Sequence, residues 1–281
     1  MAETRAPAVA GSFYPAAPQE LRDLLRQCFF TSPLGPRGPR KAAEHLFGGM
    51  VPHAGYIYSG PCAAHFYALL EKEINCAVIL GVNHAGIGAK AALSAASQWE
   101  TPLGSVAVDT ALEQELSRRV DFLRADERAH RAEHSIEVQL PFLQSCLPEA
   151  IIVPISLGRL AESACERLGR AVAEIYETRT AAGRKTIVIA SSDLSHYRSP
   201  EETERLDAIA LERVLALDPS GLLRKVEEED ISMCGVIPTA VLLYAARALG
   251  AREARLLKHC HSGDAVPMPD VVGYASVAIE L

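Results

Sequence analysis

Apolar residues come in two textures along this chain. Short β-type runs occupy Leu46–Val51, Cys76–Val82, Ile151–Leu157, Thr186–Ala190 and Val271–Ile279. Helical patterns lie between them. Gln19–Phe29 places Leu21, Leu24, Leu25 and Cys28 on one stripe. Pro61–Leu70 puts proline at a first helical position. Thr110 with Glu113 reads as a capping box ahead of Leu116, and Ser199-Pro200-Glu201-Glu202 as another for a helix to about Leu217. Val236–Leu249 carries an apolar face and stops at Gly250. Strands alternating with helices predict an α/β fold, a three-layer domain. Its central sheet is mixed, mainly parallel and covered by helices on both faces. Asn83–Asp109 breaks the alternation and reads as a short antiparallel insertion, with strands at Ala92–Ala95 and Val106–Val108. Pro33–Pro39 packs three prolines and two glycines into seven residues and must be a loop. No linker follows later, so residues 1–281 are expected to form one domain.

Composition narrows the setting. The 281 residues carry a net charge of −7, which argues against nucleic acid and anionic membrane surfaces as partners. No apolar run approaches the roughly 20 residues of a membrane helix. The start, Met1-Ala-Glu-Thr-Arg-Ala-Pro, lacks the apolar core of a secretory signal. Seven cysteines, scattered and without a CxxC, fit a reduced cytoplasmic protein.

In open α/β sheets ligands bind beyond the carboxyl ends of the strands. Leu46–Val51 is followed by Pro52-His53-Ala54-Gly55-Tyr56, and Cys76–Val82 by Asn83-His84. Thr186–Ala190 is followed by Ser191-Ser192-Asp193-Leu194-Ser195-His196. Three strands thus bring histidines, and an aspartate, to one edge. Two neutral imidazoles need a third, anionic donor to complete a facial metal site. The candidates are Asp193, Glu137, Asp264 and Cys234, the last placed just before a helix, where a thiol pKa is lowered. A second cluster, His130-Arg131-Ala132-Glu133-His134-Ser135-Ile136-Glu137, contains a five-residue match to an inverted zinc-protease motif. His130 and Glu133 read there as a solvated charged turn, while the apolar residues after Glu137 make His134 and Glu137 the better pocket candidates. In a third cluster, Lys258-His259-Cys260-His261-Ser262-Gly263-Asp264, at most His259 and His261 share a strand face, and Ser262–Asp264 reads as a rim loop.

Together these motifs resemble the Memo family, known in bacteria and archaea as AmmeMemoRadiSam system protein B. The resemblance is carried by Ala10-Gly11-Ser12-Phe13-Tyr14-Pro15, His53-Ala54-Gly55-Tyr56, Gly81-x-Asn83-His84 and Thr101-Pro102-Leu103-Gly104. It continues through Glu133-His134-Ser135-x-Glu137-x-Gln139, Ser191-Ser192-Asp193-x-Ser195-His196-Tyr197, Cys234-Gly235 and Val272-Gly273-Tyr274. It implies a fold similar to class III extradiol dioxygenases, with a metal held by His53, His84 and Cys234. Asp193 and His196 would line the pocket, His196 as acid–base, with Tyr56, His134, Glu137 and Asp264 around it. Fe(II) is the first metal expected, Cu or Zn the alternatives. The expected function is a metal-dependent redox enzyme or dioxygenase acting on a small molecule or peptide. The alternatives are a non-catalytic peptide- or ligand-binding module and a zinc hydrolase. The family name implies AMMECR-type and radical-SAM proteins as partners.

Overall fold

The computed structural model describes residues 3–38, 42–43 and 45–281. Pro39, the end of the expected loop, lies outside the described residues. In the first half the elements are β1 (Thr4–Arg5), α1 (Pro18–Arg26), β2 (Leu46–Val51), α2 (Tyr56–Tyr67), β3 (Ile74–Val82), β4 (Ala91–Leu93), β5 (Gln98–Thr101), β6 (Gly104–Ala107), α3 (Thr110–Arg119), β7 (Arg124–Ala125) and α4 (Leu140–Cys146). The second half contains β8 (Ile151–Leu157), α5 (Glu162–Ala181), β9 (Lys185–Ser191), β10 (His196–Arg198), α6 (Pro200–Leu215), α7 (Pro219–Glu228), α8 (Val236–Ala248), β11 (Glu253–His261), α9 (Ser262–Ala265) and β12 (Val271–Glu280).

A nine-stranded mixed sheet runs in the order β10-β12-β2-β9-β3-β8-β4-β7, with β11 also paired to β12. Its centre, β2-β9-β3-β8, is parallel, and β12, β11, β10 and β4 pair antiparallel. Side chains of β3 alternate between two cores. Cys76, Val78 and Leu80 face one built on α5 and α8, while Ala77 and Ile79 face one containing Leu21, Phe66 and Phe142. That double burial is why the parallel strands read as unbroken apolar runs.

Three local expectations shift. The helix expected to open at Pro61 opens at Tyr56, after Gly55, and carries Pro61 inside it. The carbonyl that Pro61 leaves without a donor belongs to Ile57, whose residue is exposed to solvent. Helix α3 is capped by Asp109, whose Oδ1 accepts from Leu112 N, and Glu113 instead accepts from Ser94 N. The 83–109 excursion splits in two. β4 joins the main sheet against β8, while β5 and β6 form a hairpin that pairs with β1 in a separate three-stranded sheet. The expected cap of α6 is present, with Ser199 Oγ accepting from Glu202 N.

Candidate metal centre

Strands β2, β9 and β3 are adjacent and parallel, so their carboxyl ends share one edge. His53 follows β2, His84 follows β3, Asp193 follows β9, and His196 opens β10. A fourth histidine, His134, arrives from the loop between β7 and α4. Ring centroids lie 5.3 Å apart for His53–His84, 5.4 Å for His53–His134 and 4.7 Å for the stacked pair His84–His134. One ligating atom from each of these three imidazoles falls within 4.8 Å of the others, so the cluster could hold a metal. His53 is buried, His134 half-buried and His84 exposed, which opens the cluster to solvent on one side.

The hydrogen-bond network assigns the tautomers. Ser191 Oγ donates its single proton to Ser135 O at 2.6 Å. It must therefore accept from its other neighbours, Gln139 Nε2 at 2.8 Å and His53 Nδ1 at 2.9 Å. The Gln139 amide is oriented in turn by Tyr67, whose hydroxyl donates to Oε1 at 2.8 Å, and by Pro52 O, which accepts from Nε2 at 3.0 Å. His53 thus carries its proton on Nδ1. Burial, then the charges of His134 and His84, holds its pKa well below the ordinary range, so Nε2 is a bare lone pair.

His84 is arranged the same way by a different group. Its Nδ1 donates to Glu133 Oε1 at 2.9 Å and its backbone N to Glu133 Oε2 at 2.8 Å. Oε1 also accepts from the backbone N of His134 and of Ser135, each at 2.9 Å. Burial alone would raise the Glu133 pKa. The hydrogen bond and charge of His84 and the Ser135 N–H outweigh it and bring the group down to about 2. Glu133 and His130 are therefore not the solvated turn expected: they are 7% and 0% exposed. Glu133 is tied up orienting His84, and His130 Nε2 faces Ala92 O at 3.1 Å, so this segment does not present a zinc-protease pair.

Cys234 sits just before α8 with its Sγ 3.3 Å from His53 Nε2. Asp193 N donates to the same sulfur at 3.3 Å. The helix start does not lower this thiol. Burial, then the charge of Asp193, pushes its pKa well up, against the backbone N–H groups of Asp193 and Gly235. Asp193 itself is buried and accepts from His53 N at 2.8 Å. Burial raises its carboxyl to about 6, opposed by that N–H and by the charges of His196 and His84. His196 Nδ1 donates to Leu194 O at 2.8 Å, and among the described residues no hydrogen bond engages Nε2.

The other candidates are engaged in contacts of their own. Tyr56 is a core residue whose hydroxyl donates to Val138 O at 2.6 Å. Glu137 is fully buried and clamps the N-terminal segment. It accepts from Arg5 Nη1 at 2.6 Å, Tyr14 Oη at 2.5 Å, and the backbone N of Ala8 and Val9. Asp264 Oδ2 accepts from His261 N at 2.9 Å and caps the short α9. His259 Nε2 is 2.9 Å from Asp207 Oδ2, a carboxylate that also accepts from Ser195 N and Oγ.

A family model described as Memo-like protein matches residues 5–278. This chain belongs to the Memo-like family. A MEMO1 family protein of Methanopyrus kandleri is 41% identical over 280 residues, covering 97% of this chain and 98% of the relative. Another from Pyrobaculum aerophilum is 42% identical over 279 residues, with the same coverage. A third, from Ignicoccus hospitalis, is 44% identical over 285 residues and covers 99% of both chains. Sequence reasoning took Glu133 for a solvated residue and gave Ser191 and Gln139 no role; in the structure Glu133 orients the His84 ring, Ser191 the His53 ring, and Gln139 donates to Ser191. Ser191 did carry a signal: it ends a strand beside the one that delivers His53, in register with Val51.

Proposed function

We propose that this Memo-family protein is a metal-dependent redox enzyme whose ion is bound by His53, His84 and Cys234. Fe(II) is the first candidate, Cu or Zn the alternatives, and the substrate is a small molecule or peptide. The observation that carries this reading is the pair of preset imidazoles. Both have Nδ1 held by a hydrogen-bond acceptor, which leaves Nε2 as the nitrogen offered to a metal. A thiol within 3.3 Å of one of them adds a soft donor suited to iron, copper or zinc. Iron or copper, when bound, would supply one-electron chemistry, and any of the three ions open positions for a chelating substrate. The protein's own part is to move protons and hold the frame. His196, its Nδ1 held by Leu194 O, offers Nε2 as the acid–base group, and Asp193, raised by burial to about 6, is suited to exchange a proton near neutrality. The free cysteines support a cytoplasmic setting, and the family resemblance supports AMMECR-type and radical-SAM partners.

The test is metal analysis of protein purified without oxygen. About one equivalent of iron or copper is expected in the wild type and a loss of it in His53→Ala; a metal-free wild type with full activity would sink the reading. One observation favours the binding-module alternative. Ile57, Ile87 and Tyr197, three of the exposed large apolar residues, follow His53, His84 and His196 closely in the chain. Ligand binding unaffected by chelators, without turnover, would decide for that alternative.

A further inference from the structure

A cavity of about 460 Å³ between α1, the β5–β6 hairpin and the end of α4 shares no lining residue with the metal centre. We propose that it docks an acidic amphipathic helix of a partner protein. Arg22 and Arg26 line it one helical turn apart, and Phe30 lines it one turn further on. After α1 the chain continues as a π-helical turn over Gln27–Thr31, closed by Ser32 N donating to Gln27 O at 2.9 Å. Four α-helical residues overshoot a full turn by about 40°. The wider π turn rotates less per residue and returns Phe30 to the line of the two arginines. Turns of this kind concentrate at functional sites.

Charge and length select the occupant. No acidic residue lines the cavity, and among the described residues neither guanidinium has an ion pair or a hydrogen bond. In a chain of net charge −7 these are two uncompensated cations facing one opening. The far end of the stripe is apolar: Phe30 is 52% exposed, and half-buried Leu103 from the β5–β6 turn lines the same space. Ser105 and Ser145, exposed on the neighbouring elements, offer hydroxyls to a polar flank. From Arg22 to Phe30 the stripe runs about 12 Å, more than one carboxylate or phosphate spans. A helix with two acidic residues four apart and an apolar residue one turn beyond repeats the same spacing in the same order, and docks by its side-chain anchors. Guanidinium groups pair with its carboxylates through two parallel hydrogen bonds each.

The test uses a fluorescein-labelled helical peptide with two glutamates four residues apart and a leucine four residues outside each, so that either direction of docking is served. Its fluorescence anisotropy is read against the full chain. Saturable binding that weakens as salt rises is expected. Arg22→Ala and Arg26→Ala should each weaken it about two- to fivefold. The double reversal Arg22→Glu with Arg26→Glu should weaken it more than about tenfold and instead bind the same peptide with lysine in place of glutamate, a gain that misfolding cannot produce. Phe30→Ala should weaken both pairings. Displacement by inorganic phosphate or benzoate at the peptide's own concentration would make this a small-anion site and overturn the helix assignment. No saturable binding to the wild type, or equal binding of the acidic peptide to the double reversal, overturns the docking site altogether.

Discussion

Glu133→Gln tests the orienting network at its most connected atom. The carboxylate accepts from four N–H groups, three on Oε1 at 2.9 Å and one on Oε2 at 2.8 Å. Glutamine keeps one acceptor oxygen and turns the other into a donor. If the amide oxygen serves the three donors, its NH2 confronts the His84 backbone N–H, and that buried donor goes unpaired at about 1–3 kcal/mol. The three remaining bonds lose their charge assistance, worth several tenths of a kcal/mol each or more. We expect a loss of about 3 kcal/mol in denaturant unfolding, with an unchanged m-value, and metal affinity reduced about 10–100-fold. The pH dependence gives an independent check. Glu133 titrates near 2 in the folded protein against an ordinary value of 4.5, so its contribution is fully present above 4.5 and is lost as pH falls toward 2. A difference of that size corresponds to about 3 kcal/mol. The Gln variant should lose stability less steeply than wild type between pH 5 and 2. A variant with wild-type stability, metal affinity and acid sensitivity would refute the reasoning.

Three further outcomes are expected. Ser191→Ala removes the partner of His53 Nδ1, so nitrogen NMR should show a mixture of His53 tautomers, and metal affinity should fall about 10–100-fold. Glu137→Leu leaves Arg5 buried without its counter-charge. It should cost about 3–5 kcal/mol in thermal or chemical unfolding, and similar stability in the variant would show that the clamp on the N-terminal segment is weak. Gly235→Ala sets a methyl group 2.3 Å from Ser192 Cβ and 2.6 Å from Ser191 O. The backbone oxygen cannot swing aside, so α8 must shift, costing about 1–3 kcal/mol and displacing Cys234 relative to His53, read as a weaker sulfur-to-cobalt charge-transfer absorption in protein loaded with Co(II).

Much of the architecture was legible because burial leaves a periodic trace. The central strands are covered on both faces and show as apolar runs, and the residues that follow them mark the functional edge. Strand β11, half-exposed and rich in charge, has no such trace, and only its end attracted notice, for its histidines. Capping was partly legible: Ser199 was found, whereas at α3 the cap fell to Asp109, one residue before the one expected, and Glu113 went to Ser94. Glu133 was misjudged for a related reason. A charged residue in a polar stretch reads as solvated unless its partners are known, and its partners come from the end of β3 and from the backbone of its own loop.

The sequence by itself determined the alternation of strands and helices, the family, and the delivery of His53, His84, Asp193 and His196 to one sheet edge. These follow from local periodicity and from parallel strands ending together. Only the tertiary structure decided which nitrogens are free, that His134 stacks onto His84, and that Cys234 is held as a thiol despite standing at a helix start. Those depend on hydrogen bonds and burial between segments far apart in the chain, as between Ser191 and Ser135 or Asp193 and Cys234. Pairings of that kind leave no period in the sequence.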